Sequence, residues 1–210
     1  MNVLNLACEP LETVRVGFIG LGDRGYATLQ RYMVLEGVEV TALCDLSEEH
    51  LQRAAQVLSA HNRPQARLYR EADGWQRLCH DSNTDLVIVA TPWRTHTHIA
   101  VEAMQSGKHV ALEVPAAMTV TNCWTLVDTA ERTRRHCVML ENCCYDPFHL
   151  VTMQLARKGL LGDITHCEGA YIHDLRDEFH KHWMVSSTQP HRGNPYPTHG
   201  FGPICQLLGI

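Results

Sequence analysis

Residues 20–25, Gly20-Leu21-Gly22-Asp23-Arg24-Gly25, carry three glycines at the spacing that lets backbone rather than side chains hold an anion. The apolar run Val14 to Ile19 before them reads as a strand, and the residues after them read as a helix. In that setting each glycine has a task. Gly20 takes the angles of the turn, Gly22 has no Cβ to block a pyrophosphate, and Gly25 lets the helix lie close on the strand. The first helical N–H groups then face the anion. A second apolar run, Val38 to Cys44, ends in Asp45, twenty residues after Gly25, where a carboxylate meets a ribose hydroxyl in a dinucleotide site. The glycines alone would also suit an ordinary strand-to-helix turn; the strand before them and the acid after them make the pattern specific. NAD is the expected cofactor, because Asp45 would repel a 2′-phosphate and no arginine follows it directly.

Other polar residues stand just after apolar runs. Thr91, Pro92, Trp93 and His96 follow Asp85 to Ala90, Glu113 follows Val110 to Leu112, and Glu141 follows Cys137 to Leu140. In an open α/β sheet these are the carboxyl ends of strands, where ligands bind, although residues capping the next helix would look the same. Tyr171 alternates with Ala170 and Ile172, as a sheet-face tyrosine would. His199 sits among prolines and glycines in a stretch that reads as an irregular loop, where exposed histidines are common and where sites are also built. No metal is expected: His96-x-His98 and His180-x-His182 lack the spacing of a zinc site, and neither Cys-x-x-Cys nor His-Glu-x-x-His occurs.

The elements that must position these residues alternate. Helices are expected over about Asp23–Glu36, from Ser47 with the stripe Leu51, Ala55 and Leu58, over Glu71–His80, over His96–Ser106, along a face marked by Val120, Trp124, Val127 and Glu131, and over Pro147–Lys158. Strands are expected at the four apolar runs after the first, and the alternation predicts a parallel sheet with right-handed crossovers. A further strand, Ile164 to His173, would begin a second sheet. The fold class is therefore α/β: an N-terminal extension over 1–13, a doubly wound dinucleotide-binding domain over 14–145, and a partial α+β domain over 146–210. With one strand and no further sheet partners, that second part predicts a chain that binds NAD, turns over little and self-associates.

Composition narrows the class. The chain has 210 residues, 45% of them hydrophobic, and a net charge of -5 without a basic cluster, which suits a soluble globular protein and not a nucleic-acid surface. No run approaches the roughly 18 apolar residues of a membrane span. The first ten residues lack the basic start and apolar core of a secretory signal, so a cytoplasmic location is expected. Nine cysteines without paired spacing fit reduced thiols.

The glycine fingerprint, Thr91-Pro92 with His96, Glu113-x-Pro115 and Gly159-Leu160-Leu161-Gly162-Asp163-Ile164 together resemble the oxidoreductase superfamily of glucose-fructose oxidoreductase and inositol dehydrogenase, from about Val14 onward. Within it, Glu113-Val114-Pro115-Ala116-Ala117, Glu141-Asn142-Cys143-Cys144-Tyr145, Gly169-Ala170-Tyr171-Ile172-His173-Asp174-Leu175-Arg176 and Asn194-Pro195-Tyr196-Pro197-Thr198-His199-Gly200 resemble one branch, the NAD-dependent glycosidases of glycoside hydrolase family 109, known for α-N-acetylgalactosaminidase activity. The resemblance implies transient oxidation of the sugar at C3, removal of the C2 proton, elimination of the C1 substituent, then addition of water and reduction. It implies Tyr171 as the base, His199 as a second catalytic group, and Glu141 and Tyr196 as sugar contacts. Thr91, Pro92, Trp93, His96 and Glu113 would surround the dinucleotide. Sugar dehydrogenases of the superfamily carry Glu-Lys-Pro, whereas this chain has Val114, which cannot transfer protons. Trp183-Met184 stands where the branch often carries Trp-Arg, which bears on substrate affinity. The expected partner is a small-molecule glycoside, with neither nucleic acid nor membrane, and a homo-oligomer is compatible with the sequence. The alternatives are a sugar or cyclitol oxidoreductase and an inactive dinucleotide-binding fragment.

Overall fold

The computed structural model describes residues 2–3, 5–174, 176, 194 and 196–210. It divides into two compact units, Met1–Met139 and Leu140–Ile210. In the first, strands β1 (Val14–Ile19), β2 (Val38–Cys44), β3 (Arg67–Tyr69), β4 (Leu86–Val89), β5 (His109–Leu112) and β6 (Cys137–Met139) form one sheet in the order β3-β2-β1-β4-β5-β6. Every pairing is parallel. Between them run helices α1 (Asp23–Tyr32), α2 (Glu48–Ala60), α3 (Gly74–Cys79), α4 (His96–Gln105) and α5 (Val120–Thr133).

Side chains alternate across the sheet because successive residues of a strand point to opposite faces. Ile19, Val87, Val89 and Leu112 join one cluster with Leu78 of α3, Ile99 and Met104 of α4, and Leu126 of α5. Their neighbour Phe18 is also fully buried but packs edge-on against Tyr32 of α1, with ring centroids 5.3 Å apart. Burial on both faces is why these strands read as continuous apolar runs. The outer end of β1 is tied to β4 by Arg15, whose Nε and Nη2 donate to the two Asp85 oxygens at 2.9 and 2.6 Å. That guanidinium is the main cause holding the Asp85 carboxyl below its ordinary pKa.

Several expectations need correcting. Helix α1 stops at Tyr32, short of Glu36, and Leu35 is exposed. On α5 the buried residues are Leu126, Thr129 and Ala130, while Val120, Trp124 and Val127 are exposed: the apolar stripe read from sequence is the wrong face, because the helix turns Leu126 and Ala130 into the cluster it shares with α4 and the sheet. Strand β3 was not expected.

Among the described residues, the second unit contains α6 (Pro147–Arg157) and α7 (Thr198–Leu208), preceded by a 3-10 turn at Asn142–Tyr145. Residues 164–173 form no strand, since no second strand stands beside them to take up their backbone groups among the described residues. His199 lies in the first turn of α7 and not in a loop. The helix carries Gly200 and Gly202 where other segments approach it closely. A Cβ on Gly200 would fall 2.8 Å from the Gly169 carbonyl oxygen, and one on Gly202 would fall 3.0 Å from Glu141 Cγ.

Candidate functional site

In the first unit, the nominated residues gather at the carboxyl ends of β1, β2, β4 and β5, around the point between β1 and β4 where the strand order reverses. Gly20 has φ of 91°, and a Cβ on it would lie 2.5 Å from the Ala90 carbonyl oxygen. A Cβ on Gly25 would lie 1.9 Å from the Gly20 oxygen, so the approach of α1 to the turn requires glycine there. Gly22 is different: nothing lies within 4 Å of its Cβ position, and as the N-cap of α1 it carries no side-chain cap. Its absent side chain leaves room for a ligand over the first N–H groups of a ten-residue helix. Asp23 and Arg24 offset each other's charge in that turn. This cradle fits a dinucleotide diphosphate.

Asp45 does more than await a ribose. Its Oδ2 accepts from the Leu21 N–H at 2.7 Å and its Oδ1 from the Ser47 N–H at 2.8 Å, stitching the glycine turn to the start of α2. Sequence reading missed Arg53, which donates to the Leu21 carbonyl at 3.2 Å and stacks 4.0 Å over the Tyr26 ring. Its place on α2, a turn and a half beyond Ser47, was the available signal.

His96 is buried with both ring nitrogens against carbonyl oxygens, Nδ1 at 2.8 Å from Pro115 and Nε2 at 2.7 Å from Thr91. A neutral ring donates to only one of them, yet burial is the largest influence and lowers the His96 pKa. The residue thus ties the segment after β4 to the one after β5. Thr91 also accepts from the Thr95 hydroxyl at 2.7 Å, Pro92 is exposed, and Trp93 is buried. Glu113 is buried and stands 3.7 Å from Arg24 Nε. Val114 is buried too.

In the second unit, four nominated residues come together. The Tyr171 ring lies 4.4 Å from that of His199 and 5.7 Å from that of Tyr196, and Tyr196 meets His199 edge-on at 4.7 Å. Beneath them His199 Nδ1 is 2.5 Å from Glu141 Oε1, with both side chains at most 5% exposed. The same oxygen accepts from the Cys143 N–H at 3.1 Å, whereas Oε2 is buried with no hydrogen-bond partner. Tyr171 is 44% exposed, so its hydroxyl-bearing ring has an open side. Burial, followed by the Glu141 charge, pushes the Cys143 thiol pKa up. Cys143 was not nominated; the signal was its place two residues from Glu141. His180, His182 and Met184 fall outside the described residues.

A parallel sheet of this order with a glycine turn at its switch point defines a dinucleotide-binding Rossmann domain. Residues 14–141 match the family model "Oxidoreductase family, NAD-binding Rossmann fold", and residues 145–210 match "Glycosyl hydrolase 109, C-terminal domain". The chain belongs to this NAD-binding oxidoreductase family. Over its whole length it is 56% identical to a glycosyl hydrolase family 109 protein 2 of Phocaeicola vulgatus, covering 53% of that protein, and 56% identical to an alpha-N-acetylgalactosaminidase of Bacteroides fragilis, covering 51%. It thus spans about half the length of the curated relatives it matches. Among solved structures, scyllo-inositol dehydrogenase from Lactobacillus casei with bound NAD(H) and scyllo-inositol shares the fold, with a TM-score of 0.78 at 18% identity, over 94% of this chain and 56% of that one. NAD is the cofactor of this family's Rossmann domain. Among the described residues no helix is long and apolar enough to cross a membrane.

Proposed function

We propose that the protein contributes to hydrolysis of α-N-acetylgalactosaminides by transient oxidation of the sugar, with Tyr171 as the base at C2. The observation that supports it is the packing of Tyr171 and Tyr196 around a buried His199–Glu141 pair. The relative named an alpha-N-acetylgalactosaminidase supplies the substrate class.

The backbone of Gly20, Leu21, Gly22, Asp23, Arg24 and Gly25 would hold the diphosphate, Asp45 the adenosine ribose, and Thr91, Pro92, Trp93, His96 and Glu113 the remainder of NAD. When bound, NAD supplies reversible oxidation at C3, which acidifies the C2 hydrogen. Tyr171, as its phenolate, takes that proton and the C1 substituent leaves by elimination; addition of water, return of the proton and return of hydride to C3 close the cycle, a route distinct from the paired carboxylates of most glycosidases. Glu141 accepts from His199 Nδ1 and so leaves Nε2 to a sugar hydroxyl, while Tyr196 braces the imidazole edge. Fixing each ring this way limits the misplacement that costs catalysis most.

The alternative, a sugar oxidoreductase, is disfavoured by Val114, a buried side chain with no proton to transfer. Incubation with an aryl α-N-acetylgalactosaminide without added NAD separates the two. Aryl release with no net NADH is expected; NADH accumulating in step with an oxidised sugar would establish the oxidoreductase instead.

A further inference from the structure

Glu141, Cys143 and His199 each present one ligand atom, a carboxylate oxygen, Sγ and a ring nitrogen, and the three atoms lie within 4.8 Å of one another. We infer that these residues form a binding site for a divalent cation of the zinc class, with water completing the coordination. Local spacing could not reveal it, because His199 is 58 residues from Glu141 and reaches it only through the helical start of α7.

The donor set carries the choice of metal. One thiolate, one imidazole and one carboxylate are the three ligand types zinc accepts, whereas calcium and magnesium take oxygen only. Tetrahedral zinc with bonds of about 2.0–2.3 Å sets its ligands roughly 3.3–3.8 Å apart, so the 2.5 Å contact between His199 Nδ1 and Glu141 Oε1 must open by about 1 Å, within the reach of side-chain rotation. A second, independent observation is Glu141 Oε2, a buried carboxylate oxygen with no hydrogen-bond partner. A group of that kind ordinarily costs free energy unless something satisfies it. Cys143 Sγ already faces the Glu141 carboxylate, with the Asn142 side-chain amide 3.8 Å away. Binding would send the thiol proton to solvent and move the imidazole proton from Nδ1 to Nε2, so that the ion takes the place of the hydrogen between His199 and Glu141.

This site stands on its ligand set and does not depend on the glycosidase reading. Only one consequence does: an ion there would engage two groups assigned to the sugar and compete with the glycoside.

Cobalt(II) titration of the full chain under reducing, thiol-free conditions tests the inference, read by the near-ultraviolet thiolate-to-cobalt band and by displacement with zinc. One equivalent should bind with that band. Even an outer-shell change costs roughly 10–100-fold in metal affinity, so Cys143→Ser, which removes a ligand, should abolish the band and weaken binding at least about tenfold. Cys8→Ser and Cys123→Ser, which alter exposed thiols elsewhere, should leave both unchanged. If Cys143→Ser does not fold, zinc should slow iodoacetamide labelling of Cys143 in the unmodified chain without slowing that of Cys123. Absence of stoichiometric binding, a band unaffected by Cys143→Ser, or labelling of Cys143 indifferent to zinc would overturn the inference.

Discussion

His199 Nδ1 and Glu141 Oε1 lie 2.5 Å apart in the interior of the second unit, joining the start of α7 to the residue that precedes the Asn142–Tyr145 turn. The pair is local structure as much as chemistry. Removing one member leaves the other buried without its hydrogen-bond partner, which typically costs about 1–3 kcal/mol. His199→Ala should therefore destabilise the second unit more than His199→Ala combined with Glu141→Gln. Denaturant melts of the two singles and the double should give a coupling of roughly 0.5–3 kcal/mol, and additive losses would mean the contact is energetically idle.

The glycines of the turn should divide by function. Gly25→Ala sets a Cβ 1.9 Å from the Gly20 carbonyl oxygen and should cost at least about 1–3 kcal/mol. Gly22→Ala meets nothing within 4 Å and should change stability by no more than about 0.5 kcal/mol. It should nevertheless weaken NAD binding, since the new methyl occupies the space assigned to the diphosphate. Thermal melts and NAD titration on both variants check this; unaltered NAD affinity in Gly22→Ala would place the diphosphate elsewhere.

Asp45 should select NAD over NADP, its charge opposing a 2′-phosphate. Because it also accepts from Leu21 and Ser47, Asp45→Ala should loosen the glycine turn, costing on the order of 1.5–3 kcal/mol for a charged acceptor. Affinity for both cofactors should then fall, with the preference between them narrowed. Titrating the two cofactors against parent and variant decides; tighter binding of NADP by the parent would contradict the assignment.

Stability in acid should depend on Asp85. Its carboxyl is held below the ordinary value, chiefly by the Arg15 side chain, so folding favours the ionised form. The contribution is complete above the unfolded aspartate pKa of about 3.9 and is lost as pH falls through the lower folded value. Asp85→Asn should flatten the acid limb of the stability–pH curve while lowering stability near neutrality. An unchanged slope below pH 4 would mean another carboxylate governs acid unfolding.

What the sequence made legible, and what it did not, divides along local and non-local physics. The strand Val14–Ile19, the glycine turn and the alternation of elements follow from periodicity and backbone chemistry within a few residues, and they form as read. The face of α5 did not, because Trp124 and Val127 are apolar without being inward, and only packing against α4 and the sheet selects Leu126 and Ala130. Helix α7 was hidden by its own composition. Gly200, Gly202 and Pro203 argue for a loop by propensity, and the close contacts of Gly200 with Gly169 and of Gly202 with Glu141 exist only once the chain has folded. Ile164–His173 failed in the opposite direction: its residues suit a strand, but a strand needs a neighbour. The gathering of Glu141, Tyr171, Tyr196 and His199 was reachable only through motif resemblance, since no spacing rule joins positions so far apart.

The role of Tyr171 is the central claim, and hydrogen exchange at sugar C2 tests it most directly. In deuterated water, with NAD bound, the protein should introduce deuterium at C2 of an N-acetylgalactosaminide. A folded Tyr171→Phe protein should bind NAD as before and introduce none, because the ring remains and only the proton-accepting oxygen is gone. Exchange persisting in Tyr171→Phe, or absent from the unmodified NAD-loaded protein, would contradict the account.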